Sequence, residues 1–314
     1  MRNEFLEALV LEASRNPRIF LVVGDLGFSV VEPFAQRFPD RFLNAGVAEQ
    51  SMTGLAAGLA SEGYHVFTYS IANFPTFRCA EQFRNDVAYH RLPVTVVAVG
   101  GGLAYGSLGY SHHAVQDLAL IRSFPGVLLA APGDPLEAQA CVRYLSAHPQ
   151  PSYLRLGKSA EPRVHVAPIE VRPGGFQALP PAGGDSPGSC AILTTGATLK
   201  LGADLCASQA LSGAWRLFSL PLWQRECAAD VCEFVRAHAR VAVIEDHLAA
   251  GGFGSFVREC LEPEPALQER VRCFSLAPEV CGIVADQLSL NRIGGLCSER
   301  LEPILAALTR LPRS

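Results

Sequence analysis

The chain is 314 residues long, and several features that would direct its reading are missing. No apolar run approaches the roughly 20 residues needed to span a bilayer. The opening Met1-Arg2-Asn3-Glu4-Phe5-Leu6-Glu7 lacks the charged-then-apolar order of a secretory leader. A cytoplasmic protein without a membrane segment is therefore expected. Charge of one sign is also lacking: 26 Lys and Arg against 30 Asp and Glu leave a net charge of −4. Nothing in that balance attracts nucleic acid or an anionic membrane. Ten cysteines are present, yet no CxxC pair or Cys–His spacing suits zinc. Most lie in apolar or helical surroundings, as at Cys141, Cys206 and Cys260, and read as reduced buried thiols.

What is present is a large apolar fraction, 49% hydrophobic against 18% charged. That is ample for a core, and this length favours two domains. Residues 2–14 carry Phe5, Leu6, Leu9 and Val10 at helical spacing, and Asn16-Pro17 ends the helix. Apolar strands are predicted at 18–23, 41–43, 64–69, 93–99, 126–130 and 152–156. Helices at 29–37, to about 61, across 74–90, near 114–123 and at 134–146 alternate with them. Such alternation predicts an α/β fold with a doubly wound parallel sheet over residues 1–160. Prolines and glycines crowd 161–188, as in Pro180-Pro181 and Gly183-Gly184, and mark a linker. Strands at 190–195, 214–219, 240–245 and 270–275 then predict a smaller α/β domain over 189–314.

The stretch that organises the chain is Phe42-Leu43-Asn44-Ala45-Gly46-Val47-Ala48-Glu49-Gln50, running into an Ala- and Gly-rich helix to Ala60. So few large polar residues suit a packed helix. Glu49 in its first turn either complements the helix dipole or is a buried carboxylate able to hold or share a proton. This run resembles the pyrimidine-domain signature of transketolases and 1-deoxyxylulose-5-phosphate synthases. Arg84-Asn85-Asp86-Val87-Ala88-Tyr89-His90, the Gly100-Gly101-Gly102 loop and His112-His113 follow in that family's order. So do Ile192-Leu193-Thr194-Thr195-Gly196 and Ile244-Glu245-Asp246-His247, which are similar to the family's C-terminal domain.

The resemblance implies that Glu49 bonds the aminopyrimidine of thiamine diphosphate and activates it. It implies that Phe74 or Phe77 stacks on that ring, and that Asp25, in a Gly24-Asp25-Leu26-Gly27 turn, lines the pocket or bonds its own turn. His112 would contact the substrate oxygen and move its proton, since imidazole titrates near about 6.5. His113 would be a secondary substrate contact, and Asp117 would orient a histidine or start a helix. Arg155 would hold an anionic group of the substrate or form an interdomain ion pair. The glycine loop itself is not a dinucleotide fingerprint, because no helix opens after it and no acid stands about 20 residues on.

Two departures shape the expectation. Leu108 stands four residues before His112, where the family uses an Asp for a sugar hydroxyl. The Gly-Asp-Gly motif that binds Mg2+ and the diphosphate is absent. The resemblance therefore implies one subunit of a split transketolase, with two chains of each kind in the assembly. A partner chain carrying the diphosphate site would complete it. A two-carbon ketol unit would pass from a ketose donor to an aldehyde acceptor. A deoxyxylulose-phosphate-synthase-like carboligase, a 2-oxo acid dehydrogenase β subunit and a non-catalytic scaffold are the alternatives.

Overall fold

The protein is described by a computed structural model that covers residues 1–158, 160–180 and 190–310. Residues 181–188 of the expected linker lie outside the described residues. The first half supplies β1 (Ile19–Val23), β2 (Phe42–Asn44), β3 (His65–Ile71), β4 (Val94–Val99), β5 (Leu128–Ala130), β6 (Ser152–Leu156) and β7 (Gln177–Ala178). The second supplies β8 (Cys190–Thr194), β9 (Trp215–Ser219), β10 (Leu222–Trp223), β11 (Val241–Leu248) and β12 (Val271–Leu276).

The first sheet has the order β10-β5-β6-β4-β3-β1-β2, with every pairing parallel except β10 on β5. Its central strands are β-branched and apolar, and all six residues of β4 are buried. Burial on both faces explains why they read as continuous apolar runs rather than as alternation. The chain leaves β1 toward β2 on one side and returns to β3 on the other. The carboxyl ends of β1 and β3 thus flank a crevice, the usual ligand position in an open α/β sheet. The second sheet runs β12-β11-β8-β9-β7, parallel except for β7.

Three local expectations change. The single helix across 74–90 is broken into a π-helical turn at Phe74–Arg78, a short α-turn at Ala80–Gln82 and a second π-turn at Phe83–Ala88. Pro75 has no N–H to give, and the Thr76 hydroxyl takes the Ala72 carbonyl at 2.5 Å, so the first turn widens. The helix expected near 114–123 covers only Asp117–Ile121, because Ala114 exchanges both backbone hydrogen bonds with Gly102. Two-residue strands β7 and β10 are too short to show a period in the sequence. β7 lies within the Pro/Gly-rich stretch, and β10 carries a residue pair from beyond it back onto the first sheet.

β10 is held by apolar burial: Trp223 is fully enclosed, with ring centroids 4.8 Å from Phe256 and 5.2 Å from Phe253. Across the sheet interior, His65 Nε2 meets Thr95 Oγ1 at 2.9 Å, and Thr95 meets Ser152 Oγ at 2.8 Å. Burial pushes the His65 pKa down to about 3, so its ring is neutral in the fold. The unfolded chain binds a proton there below about 6.5 and the folded chain does not. Stability is therefore full above that pH and falls as the pH drops toward 3. Urea unfolding between pH 7 and pH 4 is expected to lose several kcal/mol, part of which His65→Gln removes from the pH slope.

Candidate active site

The carboxyl edge of the first sheet gathers most of the expected residues. Two residues beyond β1 stands Asp25, an exposed residue in the left-handed region at φ 55°. Its Oδ1 accepts from Asn44 Nδ2 at 2.9 Å, and Asn44 Oδ1 in turn accepts from the Asp25 and Gly46 amides. Asn44, at the end of β2, therefore ties the β1 turn to the segment that opens the next helix. Gly46 has φ +72°, and open space lies where a Cβ would be. The helix Glu49–Ser61 follows with Ala48 at its N-cap, which offers no side-chain bond to the first-turn amides.

Glu49 is 4% exposed, so its carboxylate is buried. Its Oε2 pairs with Arg78 Nη1 at 3.1 Å. Arg78 is half open to water, where an ion pair stabilises by at most about 1 kcal/mol. The pair therefore orients more than it stabilises. Gln50 Nε2 adds a bond to the Arg78 carbonyl at 3.0 Å, so the helix and the π-turn are joined twice.

The Arg78 guanidinium also lies over the Phe74 ring, 4.2 Å from its centroid. The other edge of Phe74 meets the His112 ring at 5.3 Å in a T-shaped contact, and Tyr105 lies 6.3 Å from the same imidazole. Glu49, Arg78, Phe74 and His112 thus form one contiguous row from helix to loop. Phe77, from the same π-turn, is 41% exposed. Only Phe74 of the two bridges Arg78 and His112. Arg78 is the site residue that sequence reasoning missed; its position four residues after Phe74 on a helical pattern was the available signal.

His112 stands on a loop closed by the Gly102–Ala114 bridge, two residues before Ala114. Its Nδ1 lies 3.0 Å from Ser111 Oγ, which leaves Nε2 for other chemistry. Partial burial, then the neighbouring His113 and the Arg78 charge, hold its pKa below the usual histidine value. Asn73 Nδ2 donates to the Ser111 and His113 carbonyls at 2.8 and 3.2 Å and fixes the loop against β3.

Two residues expected to contact the substrate are buried and bonded within the protein. His113 is 1% exposed, with Nε2 on the Gly106 carbonyl at 3.1 Å. It braces the loop from inside. Arg155 is 3% exposed and fully committed. Nε donates to Asp117 and Nη1 to Asp246, both at 2.8 Å, while Nη2 donates to the Ala114 and Asp246 carbonyls. Its guanidinium joins the two sheets through the pair with Asp246, the ion-pair alternative of the sequence reading. Asp117 starts the helix and bonds Arg155 and Tyr153 rather than orienting His112 or His113. Among the described residues, no group of three or more His, Cys, Asp or Glu could hold a metal. No helix among them is long and apolar enough to cross a membrane.

A buried carboxylate, an arginine-clamped aromatic and a half-exposed imidazole lie together on the carboxyl edge of a doubly wound sheet, the usual ligand position of an α/β protein. Residues 1–163 match the pyrimidine-binding domain of transketolase. One of the subunits of the apulose-4-phosphate transketolase of Phocaeicola vulgatus is 30% identical over 281 residues, covering 84% of each chain. A 6-deoxy-6-sulfo-D-fructose transketolase subunit of Clostridium sp. (strain MSTE9) is 30% identical, covering 87% of this chain and 85% of its own. A solved split-gene transketolase, described as an inactive beta4 tetramer, superposes with TM-score 0.83 at 29% identity over 99% of this chain and 98% of its own. The chain belongs to the transketolase family, as the C-terminal subunit of a split transketolase, and the family implies dependence on thiamine diphosphate.

The site predicts an observable titration. His112 is expected to titrate below about 6.5 in the folded chain, read from its ring NMR signals. Arg78→Met is expected to raise that value by removing a nearby cation.

Proposed function

We propose that this chain provides the pyrimidine-side half of a transketolase site and that a separate subunit provides the diphosphate and Mg2+ half. The observation that carries this reading is the contiguous row Glu49, Arg78, Phe74 and His112 on one sheet edge. Its donor set fits the aminopyrimidine of thiamine diphosphate. A buried carboxylate is suited to share a proton with a ring nitrogen, and Phe74 and Phe77 offer flat apolar faces for stacking. Asp25 offers an exposed polar edge beside the same helix start. When bound, the cofactor supplies the nucleophilic carbon that makes the carbon–carbon bond beside a ketone breakable.

The chain's own residues then bind, orient and move protons. Glu49 holds the proton shared with the pyrimidine, with Arg78 setting the direction of its carboxylate. His112 is the general base and acid. With Nδ1 held by Ser111, its Nε2 would take the proton of the ketose C3 hydroxyl as the C2–C3 bond breaks and the shortened aldose departs, and would return a proton to the oxygen of the acceptor aldehyde when that aldehyde receives the retained two-carbon unit. A pKa held below the usual histidine value keeps the ring neutral and ready to accept at pH 7.

Residues 1–160 form the pyrimidine-binding unit in this reading, 161–188 the linker and 189–314 the C-terminal unit, in an assembly of two chains of each kind in the cytoplasm. The donor is an anionic ketose of a specialised sugar pathway, in keeping with the apulose-4-phosphate and sulfofructose named for the two relatives. Leu108, 54% exposed, stands where an Asp would bind a sugar hydroxyl, so the hydroxyl pattern accepted here differs from that of pentose phosphates.

Calorimetry with thiamine diphosphate and Mg2+ tests the half-site directly. Tight binding is expected only when this chain is mixed with its diphosphate-domain partner; tight binding by the chain alone would overturn the reading. In the assembled enzyme, Glu49→Gln is expected to lower ketol transfer by about 10²- to 10⁴-fold, and carbon dioxide release from pyruvate is not expected.

A further inference from the structure

The C-terminal unit contributes no residue to the row Glu49, Arg78, Phe74 and His112, yet it meets the His112 loop at its neck. Asp246, on β11, is 3% exposed. Through Oδ1 it holds Arg155, and its Oδ2 lies so close to Gly102 that a Cβ there would strike it. Arg155 Nη2 bridges the Ala114 carbonyl at 2.9 Å and the Asp246 carbonyl at 3.2 Å. Gly102 and Ala114 are the two ends of the loop that bears His112. Next along β11, Leu248 N donates to the Val115 carbonyl at 3.0 Å. His247 Nε2 accepts from Ala119 N while its Nδ1 faces the Leu248 carbonyl, a neutral ring in a fixed tautomer. Farther out, Gly106 packs on Leu290 and the Ala285 carbonyl so closely that no side chain would fit.

A second arm leaves the same guanidinium. Arg155 Nε holds Asp117, which accepts from the Tyr153 hydroxyl at 2.9 Å. Tyr153 lies 3.0 Å from Thr76 Oγ1, inside the π-turn that carries Phe74 and Arg78. One buried cation therefore reaches both walls of the site, the His112 loop by hydrogen bonds and the Phe74 turn through the packed contact of Tyr153 with Thr76.

We infer that Asp246 of the C-terminal unit is a positioning residue for transketolase chemistry: through Arg155 it sets the His112 loop and the Phe74 turn in catalytic register. This rests on the functional reading above and gives the C-terminal unit a part in the reaction. Misplacement of a catalytic group by about 1 Å can cost about 10²-fold in rate. Binding groups that lie elsewhere feel it less.

The test compares Asp246→Asn with Glu245→Gln. Glu245 is the preceding residue of β11, equally buried, but its carboxylate bonds the Phe253 and Gly254 amides within the C-terminal unit. Both variants lower stability. Asp246→Asn is expected to speed amide exchange across 103–113 by about tenfold or more in the chain alone. In the assembled enzyme it is expected to lower kcat by roughly 10- to 100-fold with donor KM within about twofold. Glu245→Gln does neither. Unchanged exchange and kcat in Asp246→Asn, or the same changes in Glu245→Gln, would sink the inference. Tyr153→Phe keeps the packed ring and cuts only the second arm; faster exchange across 73–78 is expected, and its absence overturns that arm. The exchange readout needs no cofactor, so an assembled wild type without ketol transfer would overturn the functional reading while leaving the coupling measurable.

Discussion

A single guanidinium set between two enclosed carboxylates is the constraint on which this structure depends. Arg155, Asp117 and Asp246 are each 3% exposed or less. Moving such charges out of water costs several kcal/mol per ion, and their attraction repays it only with good geometry. The geometry here is complete on the arginine side, since each guanidinium nitrogen has an acceptor. Burial and the fixed Arg155 charge act against each other on Asp246, and burial is the larger, so its pKa lies above the usual aspartate value. Such a cluster adds little to net stability, but removing one member leaves an uncompensated charge at a cost of about 3–5 kcal/mol. Its effect is therefore on arrangement: the two sheets meet in one relative position or the charges are stranded.

That arrangement decides which parts of the edge are rigid. The His112 loop is closed at its neck by the Gly102–Ala114 bridge, braced inside by His113 and tied to β3 by Asn73. The Phe74 turn is widened to π geometry by Pro75 and Thr76, which turns Phe74 and Arg78 toward the helix that begins with Glu49. By contrast, Phe28, Val47 and Phe77 stay exposed, at 74%, 72% and 41%. These apolar side chains lie near the open carboxyl edge in sequence order, on segments that flank the site. They suit a surface meant to be covered.

Much of this was legible in the residues. The strands β1, β3, β4, β6, β8 and β11 follow from apolar runs of β-branched residues bounded by Gly, Pro or Asn. Glu49 stood out because it is one of few charged groups in a run of small ones, and His112 because it follows a glycine loop. Arg78 and Thr76 were hidden because a helical pattern does not reveal that a turn has widened. β7 and β10 were hidden because two residues carry no period. His113 was read toward the ligand although it is buried, and Arg155 was left open between an anion and an ion pair, since a basic residue at a strand end looks the same whether it faces a phosphate or a buried acid.

The sequence by itself determined the doubly wound α/β layout, the position of Glu49 at a helix start and the placing of His112 on a glycine-flanked loop. These are local matters, set by side-chain periodicity and backbone permissiveness within a few residues. Only the tertiary structure decided that Arg155 meets Asp246 across 91 positions, that His113 turns inward and that Phe74 rather than Phe77 bridges Arg78 and His112. Those outcomes depend on which charges are enclosed together, and enclosure exists only once the two sheets have packed.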